Sequence, residues 1–201
     1  ICVRNAYGPL KQFLTVYCAQ HLNLETTFVE GSRVEEFEQS IRPNTQLIIL
    51  ESPSSIVFSL QDIRAVTALA KANGIRTYID NTFCSPLFQK PLDMGVDLVM
   101  HTMSKYLGGH SDIIGGVLVA KDGAFLNEIA SQIREWFGGI FGPMEAWLVL
   151  RGMRTLEVRL LEHEKNAMQV ATFLEQQKGV HRVLYPGLKS HPQYELMQRQ
   201  Q

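Results

Sequence analysis

Hydrophobic positions change their period along the chain, and the changes divide it into alternating elements. From Leu10 to Leu22 apolar residues recur at helical spacing, then TTFVE at 26–30 predicts a strand and RVEEFEQSI at 33–41 a short helix. QLIILES at 46–52 is apolar almost throughout, the pattern of a strand covered on both faces. LQDIRAVTALAKANG at 60–74 returns to helical spacing and closes on Gly74, and IRTYID at 75–80 is a second buried strand. A short helix near LFQKPLDMG at 87–95 and the strands DLVMHT at 97–102 and GGVLVAKD at 115–122 follow. Strands separated by helices of about 10 to 15 residues predict βαβ units, an α/β fold with a mostly parallel sheet covered on both sides.

Beyond residue 142 the pattern becomes a long amphipathic one. PMEAWLVLRGMRTLEVRLLEHEKNAMQVATFLEQQKG at 143–179 predicts a single helix, with Pro143 near its start and Gly179 past its end. Leu156, Leu160, Ala167, Ala171 and Leu174 share one stripe of it. VHRVLYPGL at 180–188 predicts the first strand of something new. The expected division is a large domain over 1–150, then a connecting helix and the start of a smaller C-terminal domain over 151–201. The chain opens inside an apolar ICV run and closes in YELMQRQQ, the pattern of an unfinished helix, so a longer parent is expected.

Composition narrows the classes of partner. At 201 residues and 45% hydrophobic, the chain has material for a substantial core. Its 19 basic and 20 acidic residues leave a formal charge of -1, which gives no electrostatic case for nucleic acid or an anionic membrane. The three cysteines, Cys2, Cys18 and Cys84, form no CxxC pair, so neither a zinc ribbon nor a disulfide framework is indicated. No apolar run reaches the ~20 residues needed to cross a bilayer, and no basic-then-apolar leader opens the chain. A soluble protein of the reducing cytoplasm is expected, with a small-molecule substrate and no metal.

In open parallel sheets, ligands sit beyond the carboxyl ends of the strands. Here those ends carry Glu51, Asp80 and the segment from Thr102 to Lys105 in HTMSKYLGGHSD at 101–112. A solvated lysine needs no special neighbours, whereas one that forms an imine needs a protected site and groups that orient its carbonyl partner. A carboxylate at the end of IRTYID can keep a ring nitrogen protonated, and the hydroxyls of Thr102 and Ser104 can bind phosphate oxygens. Together with Lys105 they match the needs of pyridoxal phosphate. Singly, each residue has a plainer role: Asp80 as a helix cap, Thr102 and Ser104 in a turn, Tyr7 in the core, Glu51 as a structural carboxylate. His101, His110 and His163 share no metal-ligand spacing, and Cys84 reads as a packing residue. GHSDI at 109–113 begins like the nucleophile elbow of a serine hydrolase, with Ser111 as nucleophile, but Ile113 takes the place of its last glycine and no strand directly precedes it. A catalytically silent scaffold is a third alternative.

Longer motifs add a resemblance. ESPSS, IDNTFCSPLFQKPL, HTMSKYLGGHSD, LVLRGMRTLEVRLLEHEKNA and YPGLKSHPQYELMQRQ occur in one order. Together they resemble the cysteine and methionine metabolism family of pyridoxal-phosphate enzymes, which includes cystathionine β- and γ-lyases, cystathionine γ-synthase and methionine γ-lyase. The resemblance runs from about Tyr7 to the end of the chain. It implies a fold-type I, aspartate aminotransferase-like architecture and a homotetramer built from dimers that share active sites. By position it implies that Lys105 is the Schiff-base lysine and proton carrier, and that Asp80 pairs with the pyridine nitrogen. Thr102 and Ser104 fall at phosphate-binding hydroxyls, in the inverse of the more familiar order. Tyr7 falls at the tyrosine stacked on the cofactor ring, and Thr82 is a further cofactor contact.

One departure bears on reaction type. Many members read ESPTNP where this chain reads ESPSSI, so Ser55 replaces an asparagine that contacts the ring hydroxyl. Some β-lyases resemble the chain there. The expectation is therefore a carbon-sulfur lyase that cleaves cystathionine in the β-lyase manner, with γ-synthase, γ-lyase and methionine γ-lyase types as the alternative. By the same resemblance, a glycine-rich phosphate loop, residues reaching a neighbouring subunit and the arginine for the substrate carboxylate fall outside this stretch.

Overall fold

The computed structural model describes Ile1–Gln201. Its centre is one six-stranded sheet of β1 (Cys2–Val3), β2 (Phe28–Val29), β3 (Leu47–Glu51), β4 (Arg76–Asp80), β5 (Leu98–Thr102) and β6 (Gly116–Val119). The spatial order is β2-β1-β3-β4-β5-β6, parallel throughout except for the antiparallel pair of β5 and β6. Such an order requires crossovers, and the helices that make them cover the sheet. That is why Ile48, Ile49 and Leu50 of β3 are all buried instead of alternating with solvent.

The helices follow from local signals. Gly8–Gln12, Phe13–Cys18 and Ala19–His21 form one unbroken helical rod, α1, whose middle stretch is wound as a π-helix. Then come α2 (Val34–Ser40), α3 (Ile63–Ala72) and the single-turn α4 (Ser85–Phe88). Asp62 caps α3 by accepting from the Ala65 amide at 3.0 Å, and Gly74 ends it at φ +66°. Ile63, Val66, Thr67 and Ala70, spaced three and four apart, put one face of α3 into the core. There Ile63, Val66 and Ala70 meet Val3, Phe37, Ile48 and Ile79 in a cluster of 16 buried residues. After β6 come α5 (Gly123–Gln132), continued by the π-helical Ile133–Phe137, and then α6 (Pro143–Met153), α7 (Leu156–Glu175) and α8 (Tyr194–Gln200).

Two expectations are corrected here. The single helix expected over 143–179 is two, α6 and α7, broken at Arg154 and Thr155. The cause is tertiary: Gly152 packs its backbone against the Gly108 carbonyl, and the Thr155 hydroxyl bonds back to the Gly152 carbonyl at 3.2 Å. Of the expected stripe, Leu160 and Ala171 are buried, while Leu174 stays exposed. The strand expected at 180–188 is also absent. That segment is irregular and turns at Tyr185–Leu188, where the Leu188 amide bonds the Tyr185 carbonyl at 3.0 Å.

The last helix folds back onto the sheet domain. Met197 packs on Leu60 and Cys84, and the Gln193 and Gln200 side chains accept from the Leu60 and Ile63 amides at 2.8 and 2.9 Å. The second bond satisfies a first-turn amide of α3 that has no partner within its own helix. No helix is long and apolar enough to cross a membrane.

Candidate active site

The carboxyl ends of β3, β4 and β5 lie at one sheet edge, where Glu51 pairs with Asp80 and Asp80 with Met100 in register. Above them is a cleft of about 790 Å³, within the roughly 300 to 1,000 Å³ usual for small-molecule sites. Its walls bring together all seven residues expected from the sequence: Tyr7, Ser55, Asp80, Thr82, Thr102, Ser104 and Lys105.

Asp80 ends β4, and its Oδ1 accepts the Thr82 amide at 2.9 Å, a local turn that fixes the carboxylate. Thr82 then reaches the next strand, its Oγ1 accepting the Thr102 amide at 2.9 Å. Behind Asp80 the fully buried Asn81 donates to the carbonyls of Ser85 and Gln89, and the Gln89 amide donates to Asn81 Oδ1 at 2.8 Å and to the Ser52 carbonyl at 2.9 Å. These four buried bonds tie down the loop that carries Asp80 and Thr82, with Gln89 Oε1 left without a partner.

Lys105 lies in the π-type turn Met103–Leu107, at a kink with φ -104° and ψ -120°. Its side chain is exposed to the cleft and makes no ion pair. The two hydroxyls before it differ in state. Ser104 Oγ accepts the Gly115 amide at 3.1 Å, which leaves its own proton free for an anion. Thr102 Oγ1 instead donates to the Gly115 carbonyl at 3.2 Å, an oxygen that the Met103 amide also reaches at 2.8 Å.

Glu51 is the residue whose role the sequence left open. It is only 2% exposed, and it accepts the Tyr7 amide at 2.6 Å and the Ser55 hydroxyl at 2.5 Å. Burial raises its pKa above the ordinary carboxylate value, and the nearby Asp80 adds to the rise while the hydrogen bonds from Ser55 and Tyr7 oppose it. Tyr7 stands at the N-terminus of α1 with its ring exposed over the cleft, so Glu51 anchors the residue that presents that ring.

The cleft also contains residues that the sequence did not single out: Phe83, Met100, Tyr106 and Arg159. Arg159 comes from α7, where a charge on an amphipathic helix reads as a solvated face. The histidines do different things. His101 is buried in β5 with Nδ1 unpartnered and its pKa lowered by burial, His110 bonds the Gly108 carbonyl, and the His163 ring lies 5.7 Å from that of Tyr106. Ser111 lines the cleft, but His110 Nδ1 is engaged elsewhere and the π-type turn, not a strand, precedes the segment, so the hydrolase elbow is not formed. Cys84 is buried beside the site, and burial pushes its thiol up to about 12, as befits a packing residue.

A model of the Cys/Met metabolism PLP-dependent enzymes matches residues 1–201. The chain belongs to that family. Its cofactor is pyridoxal 5'-phosphate. The chain is 40% identical over 192 residues to the cystathionine beta-lyase MetC of Bacillus subtilis (strain 168), covering 96% of this chain and 49% of that protein. It is 41% identical over 196 residues to the cystathionine gamma-lyase of the same organism, covering 98% and 51%. The solved structure of cystathionine gamma-lyase from Lactobacillus plantarum complexed with L-serine superposes with a TM-score of 0.94 at 38% identity, covering 99% of this chain and 52% of that one. The fold is therefore that of the fold-type I enzymes. The chain spans about half the length of these relatives.

Proposed function

We propose that this cleft holds pyridoxal 5'-phosphate and that the protein carrying the chain is a carbon-sulfur lyase, cleaving cystathionine in the β-lyase manner. The observation that carries the proposal is the convergence, in one cleft, of an unpaired lysine amine, a fixed strand-end carboxylate and a hydroxyl with a free proton. Those are the groups the cofactor needs for attachment, ring-nitrogen pairing and phosphate binding. When bound, the cofactor supplies an electron sink for the bond broken at the substrate α carbon.

The chain's own residues supply the rest. The Lys105 amine takes the α proton and carries it onward as an acid. Asp80, its carboxylate fixed by the Thr82 amide, would pair with the ring nitrogen. Ser104, whose proton is free, would donate to the phosphate, and Thr102 would be the second hydroxyl available to it. Tyr7 would cover the ring and assist proton transfer at the departing sulfur, while Thr82 and Ser55 complete the wall of the cleft. Ser55, where many members carry asparagine, favours the β-lyase type. The products are then homocysteine, ammonia and an oxo acid.

Three wider features go with this proposal. The cofactor domain spans 1–150, and 151–201 holds the connecting helices and the start of a smaller domain. The assembly is a homotetramer, supported by apolar side chains left exposed on the π-helical Ile133–Phe137 and on α6, among them Trp136, Phe137, Met144 and Trp147. A cytoplasmic location is supported by three free cysteines.

The test is to add cystathionine to the full-length protein loaded with cofactor and identify the thiol released. Homocysteine supports the β-lyase. Cysteine moves the assignment to the γ-lyase type, and turnover only with an activated homoserine ester moves it to the γ-synthase type.

A further inference from the structure

One arginine reaches from α7 to the turn that carries the lysine. Arg159 donates through Nη1 to the Tyr106 carbonyl at 2.9 Å, through Nη2 to the Gly152 carbonyl at 2.9 Å, and through Nε to the Thr155 hydroxyl at 3.1 Å. Tyr106 directly follows Lys105, and Gly152 lies in the last turn of α6. A single planar cation thus ties the lysine turn to the junction of α6 and α7.

The surroundings are shaped for that tie. A side chain at Gly109 would run into the Arg159 guanidinium, and one at Gly152 would run into the Gly108 carbonyl. Gly109 also sits at φ +79°, a conformation glycine adopts without steric cost. The geometry needs a fork: arginine offers five donors in one rigid plane, whereas a lysine ammonium is a point charge on a flexible stem. Three of the five are spent on protein oxygens.

We propose that Arg159 is a positioning residue for Lys105. By holding the carbonyl after the lysine, it fixes the kinked backbone from which the amine enters the cleft, without itself needing to touch a ligand. On the other side the turn is held through Gly115, by Met103, Thr102 and Ser104. Arg159 closes the remaining side, and its loss frees the turn to re-form as an ordinary helical start. The inference rests on Lys105 being the cofactor lysine.

The test compares Arg159→Lys with Arg159→Ala in the full-length protein, using two readouts. The first is amide hydrogen exchange in the cofactor-free protein at Gly108 and Gly109, which bond the carbonyls of Met103 and Lys105 at 2.9 and 2.7 Å. The second is the pH midpoint of the lysine-dependent absorbance band in the loaded protein. Both variants should speed exchange by about tenfold and move the midpoint together. Thr155→Val, which removes the Nε acceptor together with the hydroxyl's own bond to the Gly152 carbonyl and leaves the bond from Arg159 to Tyr106 in place, should do the same to a smaller degree and covers the case in which the arginine variants fail to fold. If Arg159→Lys keeps wild-type exchange and midpoint, charge and not the fork is what matters and the proposal fails. It fails equally if no variant changes either readout. Absence of any lysine-dependent band in the wild type defeats the cofactor assignment instead, and the exchange data still decide whether Arg159 holds the turn.

Discussion

Glu51 and Asp80 face each other directly across β3 and β4, two carboxylates at one level of the sheet edge in different surroundings. Glu51 is sealed under Tyr7 and Ser55, with Asp80, Tyr78 and Cys2 as the other titratable groups around it. Asp80 opens to the cleft. Two adjacent acids placed so differently can divide their roles, one structural and one facing the ligand.

The pair makes stability depend on pH with a defined sign. The folded-state pKa of Glu51 is raised from the ordinary 4.5, so the folded protein holds this proton more tightly than the unfolded chain does. The cost of ionising it is absent below the unfolded value and complete above the folded one. Wild-type stability should therefore fall relative to Glu51→Gln as pH rises through that window. Thermal midpoints of the two proteins across the acid range check this, and parallel curves contradict it. Glu51→Ala should instead cost about 1 to 3 kcal/mol, because the Tyr7 amide loses its acceptor.

At Gly152 the expectation is purely steric. An alanine there should gain helix propensity of about 1 kcal/mol, yet its methyl meets the Gly108 carbonyl. Overpacking dominates, and Gly152→Ala should be destabilised by about 1 to 3 kcal/mol in chemical denaturation. A more stable variant would mean that α6 and the lysine turn are free to move apart.

The two hydroxyls before Lys105 should differ in their effect on cofactor binding. Ser104 has its proton free, whereas Thr102 has committed its own to Gly115. Ser104→Ala should weaken cofactor affinity by about tenfold or more, the worth of a hydrogen bond to a charged group. Thr102→Val should weaken it less. Titration of the cofactor-free proteins with pyridoxal phosphate measures both, and the reverse order would contradict the assignment.

Burial pushes the thiols of Cys2 and Cys84 up to about 12, so neither is appreciably ionised near neutrality. Iodoacetamide at neutral pH should label neither cysteine in the folded protein and both after denaturation. Labelling of Cys84 in the folded state would show that the wall beside Asp80 opens.

What the sequence made legible was what local pattern encodes. β3, β4 and β5 stood out because parallel strands covered on both faces are apolar runs, and Asp80 and Lys105 stood out because they follow such runs. The break between α6 and α7 did not, since helical periodicity continues through it. Its cause is contact with Gly108, far away in the chain. The strand expected at 180–188 does not form, and the segment turns at Tyr185–Leu188 instead. Glu51 was noticed but left undecided, because its contacts with Tyr7 and Ser55 exist only after folding. Arg159 looked like any charge on an amphipathic helix.

The central claim is that Lys105 holds the cofactor, and an absorbance spectrum tests it most directly. The full-length protein with pyridoxal phosphate should show an absorbance band that Lys105→Ala abolishes and that responds to added cystathionine. A native protein without a lysine-dependent band would contradict the account at its base.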